Sequence, residues 1–308
     1  MLTRDLIGQV RRVEIRTRRL VNEIFSGQYG SVFRGMGMEF AEVREYVPGD
    51  EVRSIDWNVT ARVGHPYVKK FVAEREMTVI LMVDASASMR FGTALRTDLK
   101  GGAGVFKSEM AAEVAAVLGF SAIRNNDKVG LCLFSDKVEK FIRPQKGRTH
   151  TLRLVREVLE FQPTRQSTHF EEALRYLNRV VKRKAVVFFL SDFITAGQRK
   201  MEASLEKLLA ITNKRHDLIA LQVRDPREER WPNVGLLELT DAETGLTLCV
   251  DTASQQSRVR FDTRARETQK NLEAMLARHG IDHILLRTDR SFVFPLIQFF
   301  QTRAKRFR

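Results

Sequence analysis

The stretch Val79-Ile-Leu-Met-Val-Asp84-Ala-Ser86-Ala-Ser88-Met89 decides how this chain is read. A short apolar run with no helical period reads as a strand buried on both faces, and this one ends in a carboxylate. Two hydroxyls follow at two-residue intervals in the connecting loop. In open α/β sheets the ligand crevice lies at the carboxyl ends of the strands, so Asp84, Ser86 and Ser88 fall where a site belongs. One carboxylate and two hydroxyl oxygens in a tight loop suit a hard divalent cation, and the low charge count favours Mg²⁺ that keeps several waters. Asp-x-Ser-x-Ser alone is a weak signal, because Asp and Ser also cap helices and turns.

Around this stretch, strands alternate with helices. Strands are expected at Val68 to Val72, Thr78 to Asp84, Lys128 to Phe134, Lys137 to Ile142, Ala185 to Leu190, Asp217 to Val223 and His283 to Arg287. Helical stretches fall at Ser108 to Arg124, Thr149 to Glu160, Phe170 to Val181, Gln198 to Asn213, Ser254 to Arg278 and Phe292 to Arg303. The alternation predicts an α/β fold, a doubly wound, mostly parallel sheet with helices on both faces. Only Ser135 and Asp136 separate two of the strands, which predicts an antiparallel hairpin at a sheet edge. A second hairpin, within residues 236–250, stands outside the alternation.

Ahead of the sheet, Leu6, Val10, Val13, Leu20, Val21 and Ile24 recur at helical spacing, predicting an amphipathic helix over 3 to 25. From Gly27 to Gly64 the glycines and Pro48 suggest loops and short strands. Phe33, Phe40, Tyr46, Ile55 and Trp57 supply apolar anchors, so residues 1–76 read as a packed extension on a large domain spanning 77–308. The mixed charges Arg44, Asp50, Arg53, Asp56 and Arg62 suggest an ion-pair network that holds the extension to that domain.

The chain of 308 residues carries 52 Lys and Arg against 38 Asp and Glu, a net charge of +14. Residues 1–76 are nearly balanced, with 13 basic and 11 acidic; the rest hold 39 against 27, or +12. The basic residues are scattered over helix ends rather than gathered in one block. Cys132 and Cys249 lie far apart, and Cys132 sits in an apolar run, so no disulfide framework is expected. No apolar run approaches the roughly 20 residues that span a bilayer. Arg4, Arg11 and Arg12 interrupt any signal-peptide core, and a cytoplasmic location is expected.

Two more strand and helix ends complete the picture. Leu190-Ser191-Asp192 closes an apolar strand with a carboxylate, and Gln166-Ser167-Thr168 precedes the helix that begins near Phe170. Asp84, Ser86, Ser88, Thr168 and Asp192, in this order, resemble the metal-ion-dependent adhesion site of a von Willebrand factor type A domain, a Rossmann-type fold. Farther upstream, Gly37-Met-Glu-Phe40, Val43-Arg44-Glu-Tyr46, Pro48-Gly-Asp50, Arg53-Ser-Ile-Asp-Trp57 and Ala61-Arg62 resemble the DUF58 family. These are bacterial proteins of unknown function that carry such a segment before a von Willebrand A-like domain, and are commonly encoded beside MoxR-type AAA+ ATPases.

The resemblance implies that Ser86, Ser88 and Thr168 ligate Mg²⁺ (or Mn²⁺) directly, with Asp84 and Asp192 binding directly or through water. It further implies a free coordination position for an acidic side chain of a protein partner, here a MoxR-type ATPase or its client. Partner-binding residues are open, with His169 and Arg90 as candidates. His169 departs from the family pattern, in which an Asp, Asn or Ser usually follows the threonine. The inserted loop 91–106, with Gly92, Gly101, Gly102 and Gly104, lies beside the site as a lid or contact loop.

The expected function is a non-enzymatic, metal-dependent protein-binding module. One alternative is a nucleic-acid-binding protein, suggested by a pI near 10.1. Four Tyr and two Trp give no evident stacking platform for it. The other is a metal-dependent phosphoester hydrolase. In its aspartyl-phosphatase form a second Asp stands two residues after the first as the acid, and position 86 is Ser.

Overall fold

The computed structural model describes residues 13–15, 17, 20, 21, 38–73, 76–94, 105–161, 168–194, 203–242 and 245–306. In chain order the elements begin with β1 (Met38–Glu45), α1 (Trp57–Val63), β2 (Tyr67–Ala73), β3 (Thr78–Asp84), α2 (Lys107–Arg124), β4 (Lys128–Phe134) and β5 (Val138–Gln145). They continue with α3 (Arg148–Glu160), α4 (Phe170–Val180), β6 (Val186–Ser191), α5 (Ala203–Arg215) and β7 (Asp217–Arg224). The last are β8 (Leu236–Thr240), β9 (Thr247–Asp251), α6 (Gln255–Arg278), β10 (Asp282–Arg287) and α7 (Val293–Arg306).

Six strands form one sheet in the order β10-β7-β6-β3-β4-β5. All neighbours run parallel except β4 and β5, the antiparallel edge hairpin that the Ser135-Asp136 connection predicts. Successive side chains of a strand point to opposite faces, and β3 divides accordingly. Val79, Leu81 and Val83 join a core with Met110, Val114 and Leu118 of α2, Leu154 of α3 and Phe300 of α7. Ile80 and Met82 join the other, with Leu174 and Leu177 of α4, Leu209 of α5 and Leu276 of α6. Both faces are covered, which is why β3 and β6 are apolar without alternation. This is the doubly wound architecture expected from the sequence. Gly130 of β4 is needed where it sits: a Cβ there would come within 3.0 Å of the Ile142 carbonyl oxygen.

The sheet order fixes where a site can lie. From β3 the chain winds to β4 and β5 on one side; it then returns to β6, β7 and β10 on the other. The winding reverses between β3 and β6, and their carboxyl ends flank the crevice that such a reversal opens. Those ends are Asp84 and Ser191-Asp192.

The extension differs from its sequence reading in four respects. β2 does not enter the large sheet; it pairs antiparallel with the eight-residue β1 in a sheet of two strands. Residues 57–63 are helical, capped by the Asp56 carboxylate, which accepts from Asn58 N and Val59 N, and closed by Gly64 at φ 83°. Trp57 is not an anchor, since 65% of it is exposed. Arg44 pairs with Asp50 at 2.6 Å and Lys69 with Asp56 at 3.3 Å, so these ion pairs bind the extension to itself. Phe33 and most of the helix expected over 3 to 25 fall outside the described residues. Of that stretch Val13 and Val21 are buried, Val13 against Ala116 and Val155. The hairpin of β8 and β9 forms its own two-stranded sheet, as expected. No helix among the described residues is long and apolar enough to cross a membrane.

Candidate functional site

Asp84 ends the central strand, 2% exposed. Its Oδ1 accepts from Ser86 N at 2.9 Å and its Oδ2 from Ser191 Oγ at 2.7 Å. The Ser86 bond turns the chain sharply out of β3, and the Ser191 bond ties the ends of β3 and β6 together. Ser86 precedes a short 3₁₀ helix, Ala87–Arg90, yet its hydroxyl makes no cap bond. It instead lies 3.1 Å from Ser88 Oγ. The ordinary reason for a serine at this position, satisfying a helix N-terminus, therefore does not account for Ser86.

Thr168 is buried at 7% exposure. The next residue, His169, donates its backbone N–H to the Ser135 carbonyl at 2.9 Å, and Ala85 N donates to the Phe134 carbonyl. These bonds hold both loops at the carboxyl end of β4, beside β3. His169 and Arg90 are exposed. Of the inserted loop 91–106, residues 95–104 fall outside the described residues, as do Gln166 and Ser167.

Asp192 follows β6 and is fully buried. Its Oδ1 accepts from Ile194 N at 2.9 Å, and its Oδ2 from Lys107 Nζ at 2.6 Å. Between Asp192 and Ile194, Phe193 takes φ 56°, a left-handed conformation costing a bulky residue of order 1–3 kcal/mol. An aromatic cluster holds it there, with ring centroids 5.2 Å from Phe189 and 5.8 Å from Phe170.

Lys107 and Glu228 are the residues that the sequence reading missed. Lys107 opens α2 with its side chain fully buried, and its ammonium also pairs with Glu228, in the turn after β7. Glu228 Oε2 accepts from Asp225 N, forming a capping box with the buried Asp225. Asp225 in turn accepts from Thr93 N at 2.8 Å, Thr93 Oγ1 at 2.5 Å and Thr288 Oγ1 at 2.9 Å. Both ends of the inserted loop, Thr93 and Lys107, are thus fastened to one turn.

The electrostatics follow from burial. Asp84 is pushed up to about 7, first by burial and then by the Asp192 charge, against the opposing bonds from Ser191 and Ser86. Glu228 is also raised by burial, against the pull of Lys107. Burial disfavours the Lys107 ammonium, but Asp192 and Glu228 together more than offset it and raise its pKa. Asp192 and the half-buried Glu228 thus share the one buried base, Lys107, while the buried Asp84 lies close enough to Asp192 to feel its charge, and the set has more acids than bases.

Among the described residues no group of three or more His, Cys, Asp or Glu side chains is arranged to hold a metal. Any cation here therefore relies on hydroxyl oxygens as well as carboxylates. The residues fit that requirement. Adjacent ligands of an octahedral Mg²⁺ at about 2.1 Å stand about 3 Å apart, which the Ser86 and Ser88 hydroxyls match, and the surplus negative charge calls for a cation. Each oxygen of Asp84 and Asp192 already accepts one hydrogen bond, leaving a lone pair on each for a metal or a metal-bound water.

A cavity of about 250 Å³ opens beside Asp84 and Ser86, between the start of α2 and the end of α3, and is lined by Arg90, Phe106, Glu109 and Phe161 among others. Phe91, Phe106 and Ile194, each next to a residue of the network, are exposed at 39%, 49% and 40%.

Comparison with known proteins places the chain among uncharacterised relatives. The uncharacterized protein Rv1480 of Mycobacterium tuberculosis (strain H37Rv) is 28% identical over 304 residues, covering 97% of this chain and 90% of that protein. Among solved structures, the conserved hypothetical protein BatB from Bacteroides thetaiotaomicron is similar at 16% identity and a TM-score of 0.42, over 74% of this chain and 99% of that one. A von Willebrand factor type A protein from Catenulispora acidiphila is similar at 12% identity and a TM-score of 0.38, over 76% of this chain and 43% of that one. The family model described as "Protein of unknown function DUF58" matches residues 42–271, from β1 through most of α6, and the chain belongs to that family.

Proposed function

We propose that this chain is a protein-binding module whose contact with its partner depends on a divalent cation, Mg²⁺ or Mn²⁺, and that it is not an enzyme. The observation that carries the reading is the pair of Ser86 and Ser88 hydroxyls, 3.1 Å apart at the carboxyl end of the central strand with Ser86 making no cap bond. Ser86, Ser88 and Thr168 would hold the ion directly, and Asp84 and Asp192 directly or through water. When bound, such an ion offers a coordination position to a carboxylate from outside. The chain supplies the rest of the interface: Phe91, Phe106 and Ile194 provide exposed apolar contact, the kind of patch that marks interaction sites. Arg90 and His169 are exposed beside them to meet an acidic surface. The excess of positive charge over residues 77–308 would speed the encounter with an acidic partner.

The family resemblance points to a MoxR-type AAA+ ATPase, or a client that it remodels, as the partner, in the cytoplasm. The test is the affinity of the purified chain for such an ATPase in Mg²⁺, in EDTA, and with Asp84→Ala. A loss of at least tenfold in the second and third conditions is expected. Equal affinity in all three overturns the reading.

A further inference from the structure

We infer that Lys107 is a built-in cation of this site, one that lowers its affinity for a divalent ion and makes ion binding depend on a carboxylate from the partner. The inference rests on the cation-binding reading and extends it from which residues hold the ion to how tightly. Asp192 is the carboxylate that Lys107 engages, at 2.6 Å, with both side chains fully buried. Lys107 is held on several sides. Its backbone N–H is bonded to the Phe91 carbonyl at 3.0 Å, its far side faces Glu228, and the Phe91 ring lies 5.9 Å away.

A charge so fixed does not adjust when a second cation arrives. It shares Asp192 with that cation and repels it through a medium that screens poorly. With Asp84, Asp192 and Glu228 against Lys107, the buried set offers a divalent ion less attraction than the three carboxylates alone would. An incoming carboxylate restores the missing negative charge, so ion and partner bind together more tightly than either does alone. Glu228 tunes the same balance from the other side. It sets how much of the Lys107 charge Asp192 must neutralise.

The experiment measures Mn²⁺ binding to the whole chain by water-proton relaxation, for the wild type and for Lys107→Met, Glu228→Gln and Asp84→Ala. Lys107→Met is expected to bind Mn²⁺ at least tenfold more tightly than wild type, and Glu228→Gln at least threefold more weakly. If Lys107→Met loses its cooperative thermal transition, Glu228→Gln decides the matter, because it is isosteric and, with its amide oxygen turned to Asp225 N, keeps that acceptor while removing the charge and the acceptor that face Lys107. Binding that is abolished by Asp84→Ala but is not tightened in a folded Lys107→Met, or not weakened in Glu228→Gln, overturns the role of Lys107 and leaves the cation site standing. Absence of any Asp84-dependent Mn²⁺ binding in the wild type and the variants overturns both.

Discussion

Ser191 Oγ donates a 2.7 Å hydrogen bond to Asp84 Oδ2, joining the carboxyl ends of β6 and β3 across the point where the chain reverses its winding. The same hydroxyl oxygen accepts from Phe193 N at 2.9 Å, so one buried serine both orients the Asp84 carboxylate and supports the left-handed turn that carries Asp192. Ser191→Ala removes both contacts at once. It should lower stability by about 1–3 kcal/mol, the cost of leaving buried polar groups unpaired, and should weaken any Asp84-dependent cation binding. Urea unfolding and Mn²⁺ titration of the variant check the two effects; a variant with wild-type values in both would contradict the coupling.

Asp225 is the fastening point of the inserted loop. In Asp225→Ala, Thr93, Thr288 and Arg227 N lose their buried acceptor together. The expected loss is about 3 kcal/mol or more in urea unfolding, whereas Thr93→Ala alone should cost about 1–2 kcal/mol. Similar small losses in both would show that the network is looser than these bonds indicate.

His216 makes the fold acid-sensitive. It is 1% exposed, neither ring nitrogen has a hydrogen-bond partner among the described residues, and burial, helped by the Arg215 charge, pushes its pKa down to about 4. The unfolded chain binds the proton near pH 6.5 while the folded chain resists until about pH 4. Below about 6.5 the unfolded state therefore gains protons first, and stability falls as the pH drops through that window, by at most about 1.4 kcal/mol per unit from this group. His216→Leu should flatten that part of the profile. The prediction fails if wild type and variant lose stability in parallel between pH 6.5 and 4.5.

Trp57→Ala should change stability by less than about 0.5 kcal/mol, because the side chain is mostly exposed. A loss above 2 kcal/mol would mean that the indole is covered in solution.

The large sheet was legible because its strands are buried on both faces and so announce themselves as apolar runs between helical periods. Asp84 and Asp192 were legible for a related reason: a carboxylate ending such a run stands at the sheet edge whatever the loops do. Lys107 and Glu228 were not. A lysine opening a helix reads as a solvated cation, and only the fold brings the start of α2 to two acids that follow β6 and β7, 85 and 121 residues away. Helix α1 carried its signals, Asp56 before it and Gly64 after it, yet seven residues hold too few turns for a period to show. Trp57 misled because apolar character predicts burial only where a second element lies opposite.

Calorimetric titration of Mg²⁺ into the purified chain, beside the Ser86→Ala/Ser88→Ala variant, tests the central claim most directly. One ion per wild-type chain is expected, and no binding by a variant that still melts cooperatively, since the Ser86 hydroxyl contributes no cap whose loss would unfold the loop. Equal binding by both proteins, or none by the wild type, would contradict it.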